Sequence, residues 1–548
     1  MAARHEALKP FLRGQWSASA RRTASIRPGP AILSSLRNAH AFTTAPDQSQ
    51  QRSIRLPRTL RQAVDQVEQG RHSGEEQEIT VKGWIKSVRK HAKITFIDLD
   101  DGTLLGGQTL QTVLKGSAKD VIDATWTVGA AVQLVGTLIS ARPSQGSPGP
   151  SSKPKLIELV VSEGRLLAPC DSAVYPLNTF PSVETLRQAA HLRFRRSRDA
   201  AVLRARDRIE AGIAQWFTRN DFTKVTAPVI TSSDCEGAGE VFQVIADAEL
   251  ADSRELGRAP SYAFWSGSPA YLTVSSQLHL EALSLALSRV WSFTPAFRAE
   301  HSATNRHLAE FRMCEAEMAF TDSLGDVLDC VQGVVEAAVR SAVLANGTHA
   351  AHPDAATLFD RDDFGAHLRA LVQSGDDSAP WPRISYTEAV DRVNRHFNTS
   401  SLSWGDSLSS EQERWLASEI GQGPLFVTDY PASMKPFYMR LNDAKAAGAT
   451  GPTVACFDLL IPGLGELAGG SLREEREEVL LEQMRGKGLV SASTQEHLRW
   501  YAQDLRRYGG VAHGGFGIGV ERLVSWITAT DNVRDCVPFA RTQGPVRF

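Results

Sequence analysis

The stretch FRAEHSATNRHLAEF, residues 297–311, places two arginines, two histidines and two glutamates between terminal phenylalanines. The preceding VWSFTPAFRAE has the apolar pattern of a strand up to Glu300, HSATNR is loop-like, and HLAEFRMCEAEMAF is typical of a returning strand. We therefore predict a hairpin on which Arg298, Arg306 and His307 converge. Guanidinium groups suit phosphate oxygens, and neighbouring carboxylates suit an amine or a metal ion, so a nucleotide triphosphate with Mg²⁺ fits. From these residues alone a surface network of ion pairs is an open alternative.

A glycine-rich segment, GGFGIGVER at residues 514–522, gives a second signal. It lacks the Gly-Lys-Ser/Thr ending of a P-loop and the strand and helix context of a dinucleotide-binding fingerprint. Glycines such as Gly517 and Gly519 instead allow a strand to lie flat against a ligand. Arg522 follows at the start of a predicted helix, in a position to stack on a base.

A third signal is FDLLIPGLGELAGGSLREE, residues 457–475. Asp458 and Glu466 are carboxylates on a predicted strand that could hold Mg²⁺. The Gly-Gly pair that follows makes room for a substrate before Arg473. The three signals together favour an enzyme that binds a nucleotide triphosphate.

The chain of 548 residues is long enough for two or three domains. Its composition, 42% hydrophobic and 22% charged, is typical of a soluble globular protein, and no apolar run is long enough to cross a bilayer. The formal net charge of −2 neither favours nor excludes a nucleic-acid partner, because binding depends on local patches. We divide the chain into an arm (1–50), a barrel (51–167), a hinge (168–190) and a second domain (191–548).

The six cysteines have no Cys-x-x-Cys pair and no histidine nearby at ligand spacing, which argues against a zinc site or a disulfide framework. We expect buried free thiols in a reducing compartment. The cysteines are Cys170, Cys235, Cys314, Cys330, Cys456 and Cys536.

The first fifty residues differ in kind from the rest. Up to Pro46 they contain many Ser and Ala, several arginines and a single acid, Glu6. This composition fits an organelle transit peptide, which we expect to be mitochondrial, and lacks the apolar region of a secretory signal. A disordered basic arm with another purpose is the alternative.

Residues 78–102, EITVKGWIKSVRKHAKITFIDLDDG, alternate apolar and polar positions and end in an Asp-Asp-Gly turn. With further β-type runs up to residue 167, they predict a small β-barrel. Basic residues beside Trp84 and Phe96 suit single-stranded RNA, whereas solvated lysines on a packed barrel are the alternative. We expect Trp84 to belong to the core.

The second domain begins with a predicted amphipathic helix, in which Leu203, Ile209, Ile213 and Trp216 recur at helical spacing. The following FTKVTAPVI reads as a strand that Pro228 interrupts. Proline at this place indicates a sheet edge or an unusual junction.

Pro228, the Arg298 hairpin and GGFGIGVERL resemble, in order, motifs 1, 2 and 3 of class II aminoacyl-tRNA synthetases. The barrel resembles the anticodon-binding OB-fold domain of subclass IIb, which contains the aspartyl, asparaginyl and lysyl enzymes. The resemblance runs from about residue 78 to the end. It implies an α+β protein, with the OB-fold barrel followed by an antiparallel sheet flanked by helices. It also implies ATP and Mg²⁺, a tRNA partner and a homodimer formed through motif 1.

Within the subclass, TSSDCEGAGEVF, YLTVSSQLHLEAL and the terminal RDCVPFARTQGPVRF resemble the asparaginyl group. Aspartyl relatives resemble one another in a lysine where this chain has Leu280, and in Asp where it has Glu315. An amide needs one acceptor and one donor, whereas a carboxylate needs its charge neutralised. The resemblance therefore implies asparagine and tRNA(Asn) as substrates. An aspartyl or non-discriminating enzyme, or an inactive tRNA-binding paralogue, are the alternatives.

The resemblance also implies roles for single residues. The catalytic set is Arg298, Glu300 and Arg522. The ATP-binding set is Arg298, Glu300, Arg306, His307, Phe311, Glu466, Gly517, Gly519 and Arg522. The Mg²⁺ ligands are Asp458 and Glu466. The amino-acid pocket is formed by Glu236, Ser276, Gln277, Glu315, Gly469 and Arg473, and an anticodon contact by Arg89 and Phe96. His301, where many relatives have Asn, departs from the pattern in the loop that touches the acceptor stem.

The implied chemistry has two steps. The carboxylate of the amino acid attacks the α-phosphorus of ATP, and a terminal ribose hydroxyl of the tRNA then takes the acyl group. No side-chain nucleophile is required, so catalysis depends on positioning and on charge stabilisation.

Overall fold

The computed structural model describes residues 56–68, 78–141, 156–177, 181–232, 241–257, 259–301, 304–345, 348–359, 362–372, 379–398, 402–443, 448–489 and 497–548. The strands are β1 Glu78–Lys90, β2 Ile94–Asp100, β3 Leu110–Lys115, β4 Ala131–Ala141, β5 Leu156–Ala168, β6 Thr223–Lys224, β7 Ile230–Thr231, β8 Tyr271–Leu272, β9 Arg289–Phe297, β10 Glu310–Ala319, β11 Arg383–Ser385, β12 Leu425–Thr428, β13 Cys456–Ile461, β14 Gly465–Leu472 and β15 His513–Gly519.

The α-helices are α1 Leu60–Glu68, α2 Ser117–Asp120, α3 Val183–Gln188, α4 Ala190–Arg193, α5 Ser197–Arg219, α6 Asp247–Leu256, α7 Gln277–Leu287, α8 Leu324–Val343, α9 Ala355–Leu358, α10 Asp362–Leu371, α11 Tyr386–His396, α12 Ser410–Trp415, α13 Glu477–Gly486, α14 Leu505–Arg507 and α15 Val520–Ile527. Short 3₁₀ segments lie at Ala263–Trp265 and Val533–Cys536, and π-helical segments at Leu416–Gly421 and Trp500–Asp504. No helix of the described residues is long and apolar enough to span a membrane.

Strands β1 to β5 close into a barrel in the order β1-β2-β3-β5-β4. Alternate positions of β2 are buried, so Ile97 and Leu99 face the barrel core while Phe96 and Asp98 face outward. This alternation confirms the predicted barrel. The expectation that Trp84 belongs to the core is wrong, since Trp84 is 39% exposed. It lies on the outward face of β1, with the Arg195 guanidinium 5.2 Å from the centre of its ring.

An eight-stranded sheet follows in the order β11-β12-β13-β14-β15-β10-β9-β6. Its central pairs are antiparallel, as predicted, but the outermost pairs β11–β12 and β6–β9 are parallel. The predicted hairpin is confirmed as β9 and β10, in which Glu310 pairs with Phe297. Pro228 lies between β6 at the sheet edge and β7, where the chain leaves the sheet.

One face of this sheet is covered by α5 and α8, which confirms the predicted α+β layers. The amphipathic helix α5 buries Ile209, Ile213 and Phe217, while Leu203 and Trp216 are only half-buried. The ring of Phe217 stacks on Trp291 of β9 with centroids 4.6 Å apart. Burying such an aromatic side chain contributes roughly 2–3 kcal/mol to stability. The helices therefore hold the hairpin rigidly from behind.

The predicted buried thiols are confirmed for Cys314, Cys330, Cys456 and Cys536. Cys170 is half-buried, and Cys235 lies outside the described residues. The buried thiols pack in hydrophobic clusters as small apolar side chains do.

The barrel and the second domain meet around Asp354, whose side chain is fully buried. Its oxygens accept hydrogen bonds from Arg204 at 2.8 and 3.0 Å and from the backbone N–H of Gly106 in the barrel at 3.0 Å. Arg208 approaches to 3.3 Å. Burial works to raise the pKa of Asp354, but the hydrogen bonds from Arg204 and Gly106 outweigh it, so the pKa is lowered.

Replacing Asp354 by alanine should destabilise the full chain by about 3 kcal/mol, because two guanidiniums and an N–H lose their buried acceptor. Urea unfolding at neutral pH measures this loss. A group with a lowered folded-state pKa stabilises above its unfolded pKa, so the contribution of Asp354 should disappear as the pH falls through the lowered value. The exposed Asp329, paired with Arg383 at 2.5 Å, is the control: Asp329→Ala should change stability by about 0.5 kcal/mol or less. Equal losses would contradict the assignment.

Candidate active site

The face of the large sheet away from α5 and α8 carries a trough with a glycine floor. Asp458 pairs with Gly469, Gly469 with Gly517, and Gly517 with Glu315. Directly opposed residues of antiparallel strands point to the same face, so two carboxylates flank two positions that have no side chain. Alternate residues of the same strands, such as Ile518, are buried against the helices. This alternation turns one face into core and leaves the other open to a ligand.

A cavity of about 570 Å³ occupies the trough. It brings together most of the residues singled out from the sequence, although they come from distant segments. These are Gln277, Arg298, Glu300, Arg306, His307, Phe311, Glu315, Asp458, Glu466, Gly469, Arg473, Gly517, Gly519 and Arg522. Ser276 does not line the cavity, but its backbone N–H donates to Glu315, and its neighbour Ser275 lines the cavity. Glu236 lies outside the described residues.

The hairpin supplies one wall of the cavity. The Arg298 guanidinium lies 5.6 Å from the ring centre of Phe311 and 3.7 Å from a carboxylate oxygen of Glu300. The other oxygen of Glu300 lies 3.5 Å from Nε2 of His307. Burial and nearby arginines lower the pKa of His307, while Glu300 works against them. Glu300 therefore holds two basic groups in place.

The same end of the cavity concentrates positive charge. Burial lowers the pKa of Arg306, and the nearby Arg522 lowers it further. The Arg306 guanidinium donates to Ser410 Oγ of α12 at 3.0 Å, and Arg522 donates to the carbonyl of Glu466 at 3.2 Å. Like charges held this close are costly unless an anion joins them, so this end suits a polyphosphate.

The carboxylates predicted to hold Mg²⁺ lie on two neighbouring strands rather than on one. An irregularity in the β13–β14 register sets Glu466 opposite Leu460, and both Glu466 and Asp458 face Gly469. Both oxygens of Asp458 accept hydrogen bonds from Lys435 Nζ at 2.8 Å. Burial works to lower the pKa of Lys435, but Asp458 raises it.

The donor set fits Mg²⁺, which takes one or two carboxylates together with substrate phosphates and water. Glu466 has the more accessible carboxylate. The carboxylate of Asp458 is less exposed and is already paired with Lys435. Burial, together with the neighbouring Glu466, raises the pKa of Glu413 to about 7. Within the described residues no three His, Cys, Asp or Glu side chains form a preformed metal cage.

The opposite end of the cavity is enclosed by buried ion pairs. Arg473 donates to both oxygens of Glu317, at 2.6 and 3.1 Å, and to Ser471 Oγ at 2.8 Å. Glu315 accepts from Ser275 Oγ and from the backbone N–H of Ser276. Burial raises the pKa of Glu315 although these hydrogen bonds oppose the rise. A small polar side chain would find both donors and acceptors here.

Comparison with known proteins agrees with this geometry. Residues 182–543 match the family described as tRNA synthetases class II (D, K and N), and residues 79–167 match the OB-fold nucleic acid binding domain. The chain belongs to the class II aminoacyl-tRNA synthetases. The observed barrel and the eight-stranded sheet are the two structural parts that the sequence resemblance implied for a synthetase of this class.

Several relatives of this synthetase are named for asparagine. The asparagine–tRNA ligase of Thermosynechococcus vestitus is 40% identical over 477 residues, which span 86% of this chain and 96% of that protein. The mitochondrial asparagine–tRNA ligase of Saccharomyces cerevisiae is 33% identical over 515 residues, spanning 88% and 95%. The asparaginyl-tRNA synthetase of Pyrococcus horikoshii, solved with asparaginyl-adenylate, superposes with a TM-score of 0.69 at 27% identity, covering 86% and 96%.

Sequence reasoning missed several residues that line the synthetase pocket or support its lining. Lys435, Ser410 and Glu413 lie between motifs 2 and 3, in a region to which the sequence assigned no role. Glu281 sits within YLTVSSQLHLEAL, but only its neighbours were singled out. The sequence did carry a signal for Glu281, because it is a charged residue within a predominantly apolar helix.

The floor glycines give a sharp test of the trough. A Cβ added at Gly469 would lie 3.5 Å or more from any neighbour, so Gly469→Ala should fold normally and protrude into the cavity. We expect amino-acid-dependent ATP–pyrophosphate exchange to fall at least tenfold with an unchanged melting temperature. Gly515→Ala is the contrast, because its Cβ would lie 2.2 Å from the carbonyl oxygen of Ala316 and should destabilise the fold. Normal exchange in Gly469→Ala would show that no substrate uses this floor.

Proposed function

We propose that this synthetase attaches asparagine to tRNA(Asn), using ATP and an asparaginyl-adenylate intermediate, in mitochondrial translation. The observation that carries the proposal is the side-chain end of the pocket, where Glu315 offers an acceptor and Arg473, held by Glu317, offers a donor. The relatives named above as asparagine–tRNA ligases support the same substrate.

We assign the polyphosphate of ATP to the cationic end of the cavity. Arg306 and His307 would bind the far phosphates, and Glu300 would keep His307 in place. Phe311 and Arg522 would enclose the adenine, with Gly517 and Gly519 giving the strand close access to the nucleotide. Mg²⁺, assigned to Glu466 and Asp458, supplies neutralisation of phosphate charge when bound.

In the first step, an oxygen of the asparagine carboxylate forms a bond to the α-phosphorus, and the bond to the pyrophosphate oxygen breaks. Arg298 would bridge the α-phosphate and that carboxylate, with its guanidinium fixed by Phe311 and Glu300. A charged donor already in place stabilises the negative charge that develops in the transition state. In the second step the 3′ hydroxyl of the terminal ribose takes the acyl group and AMP leaves.

We assign the substrate amino group to Glu236 and the amino-acid pocket to Ser276, Gln277 and Gly469. The substrate amide oxygen would accept from Arg473, and its NH₂ would donate to Glu315. Aspartate would bring a second carboxylate next to the buried Glu315, which costs the energy of an uncompensated charge. Such a mismatch can reject a substrate by several powers of ten.

We assign the tRNA anticodon to the barrel, which we place within residues 51–167, with a hinge at 168–190 and the catalytic domain at 191–548. Phe96 faces outward beside Arg89, whose guanidinium lies 6.0 Å from the ring centre. A base stacked on Phe96 would contribute roughly 1–3 kcal/mol to binding. Weaker tRNA binding by Phe96→Ala in a filter assay would support this, and unchanged binding would exclude it.

We further assign a homodimer and import by residues 1–50, which lie outside the described residues. Phe320, 77% exposed, and the exposed Leu287 flank the backbone hydrogen bond that Ala319 donates to the carbonyl of Ser288. Exposed apolar side chains next to each other suit an interface with a second copy. A monomer in sedimentation equilibrium at micromolar concentration would exclude the dimer.

Replacing Arg298 by alanine should slow asparagine-dependent pyrophosphate exchange by roughly a hundredfold, equivalent to about 3 kcal/mol of transition-state stabilisation. Arg312→Ala is a matched control, because Arg312 lies on β10 of the same hairpin, pairs with Glu310 at 3.1 Å and does not line the cavity. We expect its exchange rate to stay within about twofold. Near-normal exchange in Arg298→Ala would remove Arg298 from the chemistry.

The substrates are tested by aminoacylation with asparagine or aspartate, using organellar and cytosolic tRNA. We expect asparagine to be preferred by on the order of a thousandfold in kcat/KM, and organellar tRNA(Asn) to be charged. A preference for aspartate would show that asparagine is not the substrate. Charging of cytosolic tRNA alone would remove the mitochondrial assignment.

A further inference from the structure

Glu281 of α7 lies behind the amino-acid end of the cavity, fully buried and outside its lining. Its Oε1 accepts hydrogen bonds from Gln277 Nε2 and from the hydroxyl of Tyr501, each at 3.0 Å. Its Oε2 lies 3.0 Å from His513 Nε2 and accepts from Arg506 at 3.3 Å. Four polar groups from three separate segments of the chain therefore meet at one carboxylate.

Two of the groups around Glu281 reach the substrate side. Gln277 and Arg473 both line the cavity, and Arg473 Nε lies 3.9 Å from Glu281 while bonding Glu317 directly. Burial works to raise the pKa of Glu281, but His513 and the arginines lower it to about 2. Glu281 is thus a permanent anion in a dry environment, where charges act strongly on one another.

The hydrogen bond to Gln277 fixes the orientation of its amide. A carboxylate can only accept, so Gln277 must turn its NH₂ group to Glu281. The carbonyl oxygen of Gln277 then points away from Glu281, on the side of the cavity. This oxygen can accept from an amide or ammonium group of a ligand, and it repels a carboxylate.

Acidic and basic side chains at this end are also matched one to one before any ligand enters. Three carboxyl groups, those of Glu281, Glu315 and Glu317, face the guanidiniums of Arg473 and Arg506 and the imidazole of His513. Of the described residues at this end, Arg473 and Arg506 each already face a carboxylate, so neither guanidinium is available to neutralise an added negative charge. A neutral side chain preserves the balance, whereas a carboxylate breaks it in a low-dielectric site.

We propose that Glu281 is a positioning residue that sets the choice of a neutral amide over a carboxylate, by orienting Gln277 and by cancelling the positive charge around Arg473. This inference rests on the proposed asparagine specificity and deepens it. Without the charge of Glu281, Gln277 is free to turn its NH₂ to the cavity, and one positive charge is left for a carboxylate to neutralise.

The test is pyrophosphate exchange with asparagine and with aspartate, expressed as the ratio of the two kcat/KM values. Glu281→Gln should lower the asparagine-to-aspartate ratio by on the order of tenfold or more. Glu336→Gln is the matched control, since Glu336 is a buried glutamate of α8 that bonds Gln332 and lies outside the cavity lining. The control should keep the wild-type ratio, and melting curves establish that each variant is folded.

A second variant, Arg506→Gln, tests the same inference even if Glu281→Gln does not fold. Arg506→Gln removes a positive charge, so it should raise the ratio, and the Glu281→Gln, Arg506→Gln double variant should return it toward the wild-type value. A purely structural role predicts that the double variant is worse than either single one. A folded Glu281→Gln with the wild-type ratio, or an Arg506→Gln variant whose ratio falls, overturns the inference. A wild-type preference for aspartate is a different result, because it overturns the proposed substrate itself.

Discussion

The separation of charge along one glycine-floored trough is the constraint on which the rest of the structure depends. At one end Arg298, Arg306 and Arg522 converge beside Glu300 and Glu466, and at the other end Arg473 bonds Glu317. Like charges held close together in a partly buried site are costly, so an added anion suits this first end. We propose that the first end binds a polyphosphate and the second a small neutral side chain, which would place the two ligands for attack at phosphorus.

The fold maintains this arrangement because one face of the sheet forms the hydrophobic core and the other face lines the cavity. The helical face of β10, β14 and β15 is apolar and packs on α5 and α8, where Phe217 and Trp291 lock the hairpin in place. The open face is made of carboxylates, arginines and glycines. Because the backbone is immobilised from behind, the charged side chains need little reorganisation when substrate binds, which is the condition for electrostatic catalysis.

The sequence predicted most of the cavity lining, because the informative residues occur in short local patterns. Arg298 and Glu300 stand in a hairpin whose alternation is readable, and Gly517, Gly519 and Arg522 stand in a strand that leads into a helix. The prediction that Trp84 belongs to the barrel core was wrong. Alternation along β1 places Trp84 on the outward face, where its ring lies beside the guanidinium of Arg195, a residue more than one hundred positions away.

What the sequence determined by itself was the barrel, the sheet, the family and the residues that carry charge, since each depends on spacing within a few neighbouring positions. Tertiary structure decided how those charges pair. Lys435 meets Asp458 across 23 positions, and Glu281 meets Tyr501, Arg506 and His513 from more than two hundred positions away. Electrostatic interaction depends on distance in space and on burial, and neither can be read from separation along the chain.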